Sequence, residues 1–434
     1  MRGDCNARHV RSVALGAVLV SLSCLGLSGC TGFSRGVTEA IIGRGEQAGV
    51  DVRQCHARGP SFEGLDASMR RQDEIPIGDP RSSLKVLMVH GIGDHIPGYA
   101  TRLGENLARS LGLGRTERRF KQFSLIPDQE TVVDLGVLRV TRFTDAEAVR
   151  ELLFYELTWD PIVEEEKQTL AFDSSPEYAF RRTAINNAMK SFVNATVPDV
   201  LMYQGTSKEA ILASVAVSMC WMFSHDWQTL PNGSDPQHCG LDHPRYLGYL
   251  EDDYAFITHS LGSRIVTDAL QALPDNADRA PPVTQERLGN IFRRRLPVFM
   301  LSNQLPLLQL GQPPLEVSGQ IDTLCTEEFD PSSGRFYQEI ALVAFSDPND
   351  VMSYPIPQGY VDEHVDSRMC PSLVNVVLNI AEPISIFGTR LADPLTAHSG
   401  YEDDPRVIGM ITHGLGNEWV APIVSERCEW LETP

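Results

Sequence analysis

Residues 251–273, EDDYAFITHSLGSRIVTDALQAL, limit the possible folds more than any other part of the chain. Residues 254–258 are a short run of apolar and β-branched side chains, as a buried strand requires, whereas Ile265, Val266, Ala269, Leu270 and Leu273 recur at helical spacing. The chain must turn sharply between them, at His259, Ser260, Leu261 and Gly262. A serine at such a corner has its hydroxyl lifted clear of the sheet, with the following backbone N–H groups pointing the same way. It is placed to act as a nucleophile. The plain alternative is a helix N-cap serine. The Ser-x-Gly triplets at Ser110 and Ser332 neither follow a strand nor open a helix.

A second pattern begins at Leu84. Residues 84–89 form a continuous apolar run, expected of a strand covered on both faces, and 97–111 follow with helical spacing through Tyr99, Leu103, Leu107 and Leu111. Between them lies His90-Gly91-Ile92-Gly93, where glycines let the backbone approach a substrate oxygen without a side chain in the way. A tight turn ahead of a helix is the other reading. Further strands are predicted at 136–143, 152–159, 296–301 and 336–345, with 375–380 as the last. Residues 276–286 and 305–310 read as loops, the latter because Pro306, Gly311, Pro313 and Pro314 bracket it.

The corner at Ser260 resembles the nucleophile elbow of the α/β-hydrolase family, with Thr258 standing where G-x-S-x-G has its first glycine. The His90-Gly91 turn is similar to the family's turn that supplies an oxyanion-hole N–H. Together they imply an α/β-hydrolase fold: a mostly parallel central sheet flanked by helices, over roughly 84–415 with an insertion excluded. Carried over, Ile92 and Leu261 would be the oxyanion donors. The family needs a carboxylate after a late strand, and Ser346-Asp347-Pro348-Asn349-Asp350 offers two. Asp350 is preferred; Asp347, before a proline, can simply shape the turn and is the alternative acid. Among eleven histidines, His398 has the placement of the family's general base, between the last strand and a closing helix. His413 ranks second, because a helix C-terminus welcomes a cation for dipole reasons alone. His90 and His259 read as packing or hydrogen-bonding neighbours. The order Ser260, Asp350, His398 is the Ser…Asp…His order of the family.

Before the strand at Leu84 the chain carries an address. Arg2, Arg8 and Arg11 precede an apolar run over 13–27 that is short and rich in Ser and Gly for a membrane span. Residues 1–29 read as a signal peptide ending in Leu27-Ser28-Gly29-Cys30, which looks like a bacterial lipobox with Cys30 as the lipidated residue. Ordinary secretory cleavage and an uncleaved anchor are the alternatives. In lipoproteins of this kind Thr31 favours the outer membrane, and several acyl chains make attachment stable. Residues 30–83 read as a lipidated tether and irregular lead-in, and 84–434 as the catalytic domain.

The formal net charge of −20 argues against a nucleic-acid partner or a broad basic membrane-binding face, so membrane contact is expected through the lipid. Beyond Cys30 six cysteines remain, an even set suited to disulfides in an exported protein. The expected pairs are Cys220 with Cys239, Cys325 with Cys370, and Cys55 with Cys428. Cys220, His225, His238, Cys239 and His243 could instead hold zinc, but their spacing matches no tight ligand pattern, and no metal or cofactor is assigned.

Residues 161–250 form an insertion directly before the nucleophile strand. It reads either as a cap, lined by Ile211, Val215, Met219, Met222 and Phe223, or as a helical layer without a role in substrate choice. The functional expectation is a serine hydrolase of carboxylic esters, acting on a small-molecule or lipid ester. The alternatives are amide or thioester cleavage, and a non-catalytic envelope lipoprotein that uses the same fold to bind.

Overall fold

The computed structural model describes residues 55–433 apart from 77–78, 80, 129, 131–132, 176–181, 240–251, 280–284, 286–287, 290, 327–334 and 387–388. The expected signal peptide, Cys30 and about half of the expected tether lie outside the described residues, as does His243. No helix among the described residues is long and apolar enough to cross a membrane.

The strands are β1 (Cys55–Gly59), β2 (Leu84–Val89), β3 (Gly114–Ser124), β4 (Val137–Thr144), β5 (Glu151–Thr158), β6 (Asp253–His259), β7 (Arg295–Leu301), β8 (Glu339–Ser346), β9 (Pro371–Leu378), β10 (Ile384–Ile386), β11 (Thr389–Leu391) and β12 (Glu429–Glu432). All but β10 and β11, which pair with each other, join one sheet in the order β12-β1-β9-β8-β7-β6-β2-β5-β4-β3. From β9 to β5 every neighbouring pair is parallel, and β4 and β3 continue the sheet antiparallel. The fold is α/β with a mostly parallel sheet.

The sheet is covered on both faces because its central strands are apolar on both. In β2, Leu87 and Val89 join a core with Phe256 and Val298 under the helices Lys208–Ser224 and Gly262–Arg279. Leu84, Val86 and Met88 face the other way, toward Phe299, Val343 and the helices Thr101–Ser110 and Pro405–His413. Strand order reverses between β2 and β6: the chain leaves β2 for β5 on one side and returns to β6 on the other. Parallel strands bring their carboxyl ends to one edge, and the crevice at such a reversal is where open α/β sheets bind ligands.

Glu166–Pro198 forms one compact unit, and Arg53–Glu165 together with Asp199–Pro434 another. Within the smaller unit, Asp173 pairs with Arg182 at 2.7 Å. The helix Lys208–Ser224 belongs to the larger unit, and Ile211, Val215, Met219, Met222 and Phe223 are buried in its core. These five side chains form a wall of the α/β body and do not line a cap.

Several expected boundaries differ. The lead-in is not wholly irregular: β1 alternates buried Cys55, Ala57 and Gly59 with exposed His56 and Arg58, and Asp66–Glu74 is a helix. The strand expected at 375–380 begins at Pro371, and β10, β11 and β12 follow it. The helix after Ser260 runs on to Arg279 through Pro274. Proline there removes the amide that would bond the Leu270 carbonyl, and the Tyr337 hydroxyl supplies that bond at 2.7 Å. Residues 305–308 are a short helix rather than loop, with Leu305 and Leu308 buried.

Disulfides join Cys55 to Cys428, Cys220 to Cys239 and Cys325 to Cys370, the expected pairs. The second takes both sulfurs of the zinc alternative.

Candidate active site

Ser260 follows β6 and has φ 56°, a conformation that non-glycine residues seldom adopt. Its amide donates to the Leu301 carbonyl at 2.9 Å, which ties the corner to the end of β7. Its carbonyl accepts from Ser263 N and Ser263 Oγ at 3.0 and 2.7 Å, and so opens the following helix. The serine is fully buried, and its Oγ has no hydrogen-bond partner among the described residues. Thr258 is also fully buried with its hydroxyl unpartnered, so the strand accommodates the extra side chain.

The turn after β2 lies directly against this corner. A Cβ on Gly91 would come within 2.6 Å of the His259 carbonyl oxygen and 3.0 Å of Leu261 N, and would overlap Ser260 Cβ. A Cβ on Gly262 would strike the Val89 and His90 carbonyls. Glycine is required on both sides of the contact. Among the described residues, neither the Ile92 nor the Leu261 amide donates to a protein acceptor.

His90 is fixed beneath the turn. Trp159 N–H can only donate, so His90 Nε2 accepts it at 3.2 Å, and the proton on Nδ1 goes to the Gly91 carbonyl at 2.9 Å. The ring is stacked between His95 and Trp159, at 4.0 and 4.7 Å between centroids. His90 is therefore a structural neighbour.

Asp350 and His398 are brought together from segments far apart in the chain: Nδ1 of His398 lies 2.9 Å from Asp350 Oδ2. The second carboxylate oxygen accepts from Met352 N at 3.0 Å. Burial raises the Asp350 pKa, but the hydrogen bond and charge of His398, with the Ser302 hydroxyl and Met352 amide, outweigh it and hold the carboxyl below its ordinary range. His398 stands in a short helix, Pro394–Ser399, whose N-cap Asp393 accepts from Leu395 N.

His259 links the two halves. Its Nε2 donates to the His398 carbonyl at 2.8 Å, and its ring meets the His398 ring edge to face at 5.0 Å. Burial, then the proximity of His398, bring its pKa down to about 3, so the ring is neutral in ordinary buffers. Ser260 and His398 are not hydrogen-bonded to each other.

Asp347 serves the turn. Its Oδ2 accepts from Ile380 N and Ala381 N at 2.6 and 3.1 Å, and its Oδ1 from Asn349 N at 2.7 Å. His413 pairs with Asp66 at 3.3 Å. Ser302, which no sequence pattern singles out, lies against both Asp350 and His398, with its Oγ 2.7 and 2.9 Å from them. The one available signal was its position, directly after the strand beside β6. Carboxylates of Asp94, Asp160 and Glu164 lie within 4.8 Å of one another, but two of the three residues are exposed and Asp160 already accepts the His95 amide.

Comparison with protein-family models, with curated proteins and with solved structures finds no match to this chain.

Proposed function

We propose that the chain is a serine hydrolase of α/β-hydrolase type that cleaves carboxylic esters through an acyl-enzyme. The observation that carries the reading is the buried Asp350–His398 pair, joined through the His259 ring to the strand-to-helix corner where the next residue, Ser260, is held at φ 56°. His398, with Nδ1 turned to Asp350, offers Nε2 as the base. It takes the Ser260 proton as Oγ attacks the acyl carbonyl, and returns that proton to the leaving alkoxide. Asp350 orients the ring and stabilises the imidazolium. The amides of Ile92 and Leu261, with no acceptor of their own among the described residues, are the donors for the oxyanion. Water then attacks the acyl-enzyme by the reverse route.

An apolar substrate is favoured by the insertion. Met189, Val193 and Val197 recur every four residues on the helix Ala184–Tyr203, with Phe192 beside them, and all four are exposed. An exposed apolar stripe of this kind marks a surface for lipid, ligand or partner. Lipidation at Cys30, on the envelope reading of the N-terminus, would place such a surface near lipid esters.

Labelling with a fluorophosphonate probe tests the chemistry: Ser260→Ala abolishes it if Ser260 is the nucleophile, and persistent labelling of that variant overturns the assignment. A panel of p-nitrophenyl esters of increasing acyl length, applied to the chain lacking residues 1–30, tests the substrate class. Equal rates across the panel would remove the case for a lipid ester. Absence of both labelling and hydrolysis in the wild type would leave the binding-module reading.

A further inference from the structure

We propose that Ser302 is a positioning residue of the Ser260 centre, its hydroxyl fixing Asp350 and holding the His398 ring in the tautomer that leaves Nε2 open to the nucleophile. The inference rests on the hydrolase reading and adds a fourth side chain to it.

The backbone at Ser302 first calls for an explanation. It directly follows β7, is fully buried and has φ 51°. Glycine occupies that region without strain, whereas another residue is strained there and persists only where its surroundings over-determine it. Those surroundings are present. On one side the Leu301 carbonyl accepts the Ser260 amide; on the other, Asn303 N donates to the Phe345 carbonyl at 3.0 Å. Asn303 also exchanges two bonds with Tyr354, its Nδ2 reaching the Tyr354 carbonyl and its own carbonyl accepting Tyr354 N, both at 2.8 Å. The corner is thus held between the nucleophile strand and the segment following Asp350. A strained serine in place of glycine keeps a hydroxyl at that point.

The proton arrangement gives that hydroxyl its use. Ser302 O–H donates to Asp350 Oδ2 at 2.7 Å, which leaves the serine oxygen only lone pairs to present to His398 Nδ1, 2.9 Å away. Asp350 Oδ2, the other atom facing Nδ1, is a carboxylate and accepts as well. Both neighbours of Nδ1 require a proton there, so the neutral ring carries its lone pair on Nε2. When Nε2 takes the Ser260 proton, the imidazolium Nδ1–H already faces two acceptors and nothing has to rotate. Among the described residues, the other titratable groups around Asp350 are His259 and Tyr401, both uncharged at neutral pH, and Asp347 on the same turn, whose carboxylate is turned to the Asn349, Ile380 and Ala381 amides.

Ser302→Gly and Ser302→Ala in the full chain test this. Glycine relieves the backbone, so a folding defect does not confound that variant. Loss of a hydrogen bond to a charged group predicts that kcat falls about tenfold to a hundredfold with KM little changed. The acid limb of the rate profile moves to higher pH, because a donor that helps keep Asp350 ionised has gone. The far-downfield Nδ1 proton resonance of His398, read without substrate, shifts or broadens by exchange. Wild-type kcat, acid limb and resonance in Ser302→Gly overturn the proposal. So does a loss of rate with an unmoved acid limb and resonance, which is what a merely structural role produces. Persistent probe labelling of Ser260→Ala refutes the hydrolase reading separately. In that case the resonance still decides whether Ser302 positions the pair.

Discussion

Gly91 and Ser260 meet so closely that no Cβ fits between them: one added to Gly91 would overlap Ser260 Cβ. The turn after β2 and the corner after β6 are therefore one packed unit, although the two residues belong to different strands. Gly91→Ala must push these segments apart. The expected cost is about 1–3 kcal/mol of stability from overpacking, with a fall of about a hundredfold in kcat/KM as the Ile92 and Leu261 amides lose register. Thermal unfolding and ester hydrolysis measured on the same preparation check both, and wild-type kcat/KM in the variant would disprove the shared packing.

How much of this was legible in the sequence depended on whether a residue's role is local. The runs at 84–89 and 254–258 announced buried strands because their residues are apolar on both faces, and the structure places strands there. β1 and β3 were not foreseen: CHARG and GRTERRFKQFS lie toward the sheet edges and read as polar chain. Residues 276–286 read as loop, yet the helix runs on through Pro274 to Arg279, because the Tyr337 hydroxyl, far off in the chain, makes up the bond the proline removes. Asp350 and His398 could be placed by their order in the chain, but Ser302 could not. A serine after a strand is common, and neither its φ nor its two partners leave a trace in spacing.

The depressed pKa of His259 predicts how stability responds to acid. Its folded value is about 3, against about 6.5 in an unfolded chain, so between these values only the unfolded chain binds the proton. Stability therefore rises with pH across that window and is lost as pH falls through it. One group carries at most about 1.4 kcal/mol per pH unit, and the partial exposure of this residue lowers the figure. His259→Gln keeps an amide donor for the His398 carbonyl but does not titrate. Urea unfolding at pH 6.5 and 4.5, above the range where Asp350 contributes, should show a smaller loss for the variant than for the wild type. Equal losses would contradict the assignment.

Lys85 is buried in the sheet with its Nζ 2.7 Å from Asp252 Oδ2 and 3.0 and 2.9 Å from the Met222 and His225 carbonyls. Burial pushes the Asp252 carboxyl up despite the lysine beside it. Removing one partner leaves the other charge buried, so Lys85→Met should cost about 3–5 kcal/mol in chemical denaturation. Adding Asp252→Asn, which retains an acceptor for Ser83 N, should recover part of that loss. A double variant no more stable than Lys85→Met would show that the ion pair is not the source of the cost.

Cys55 and Cys428 join β1 to the segment that enters β12. Both strands lie at the far end of the sheet order from β3, with β9, β8 and β7 between them and β6. Replacing both cysteines by serine should lower stability by about 2–4 kcal/mol. The kcat of the folded fraction should not change. A fall in kcat at a temperature well below the unfolding transition would show that this edge is coupled to the Ser260 corner.

Asp347 and Asp350 stand three positions apart on one turn, yet their variants should fail in different ways. Asp350 faces His398 Nδ1, and Asp350→Asn would present an amide donor or an uncharged acceptor where the ring needs a carboxylate. With the other tautomer favoured, kcat should drop by about 10⁴-fold while the protein unfolds at nearly the wild-type temperature. Asp347 accepts three backbone amides, from Asn349, Ile380 and Ala381, and holds the turn after β8 to the chain leaving β9. In Asp347→Asn one oxygen becomes an amide nitrogen facing N–H groups, which should cost about 1–3 kcal/mol of stability with kcat of the folded enzyme preserved. Measuring kcat and unfolding for both variants separates acid from turn former, and the reverse pattern would move the catalytic role to Asp347.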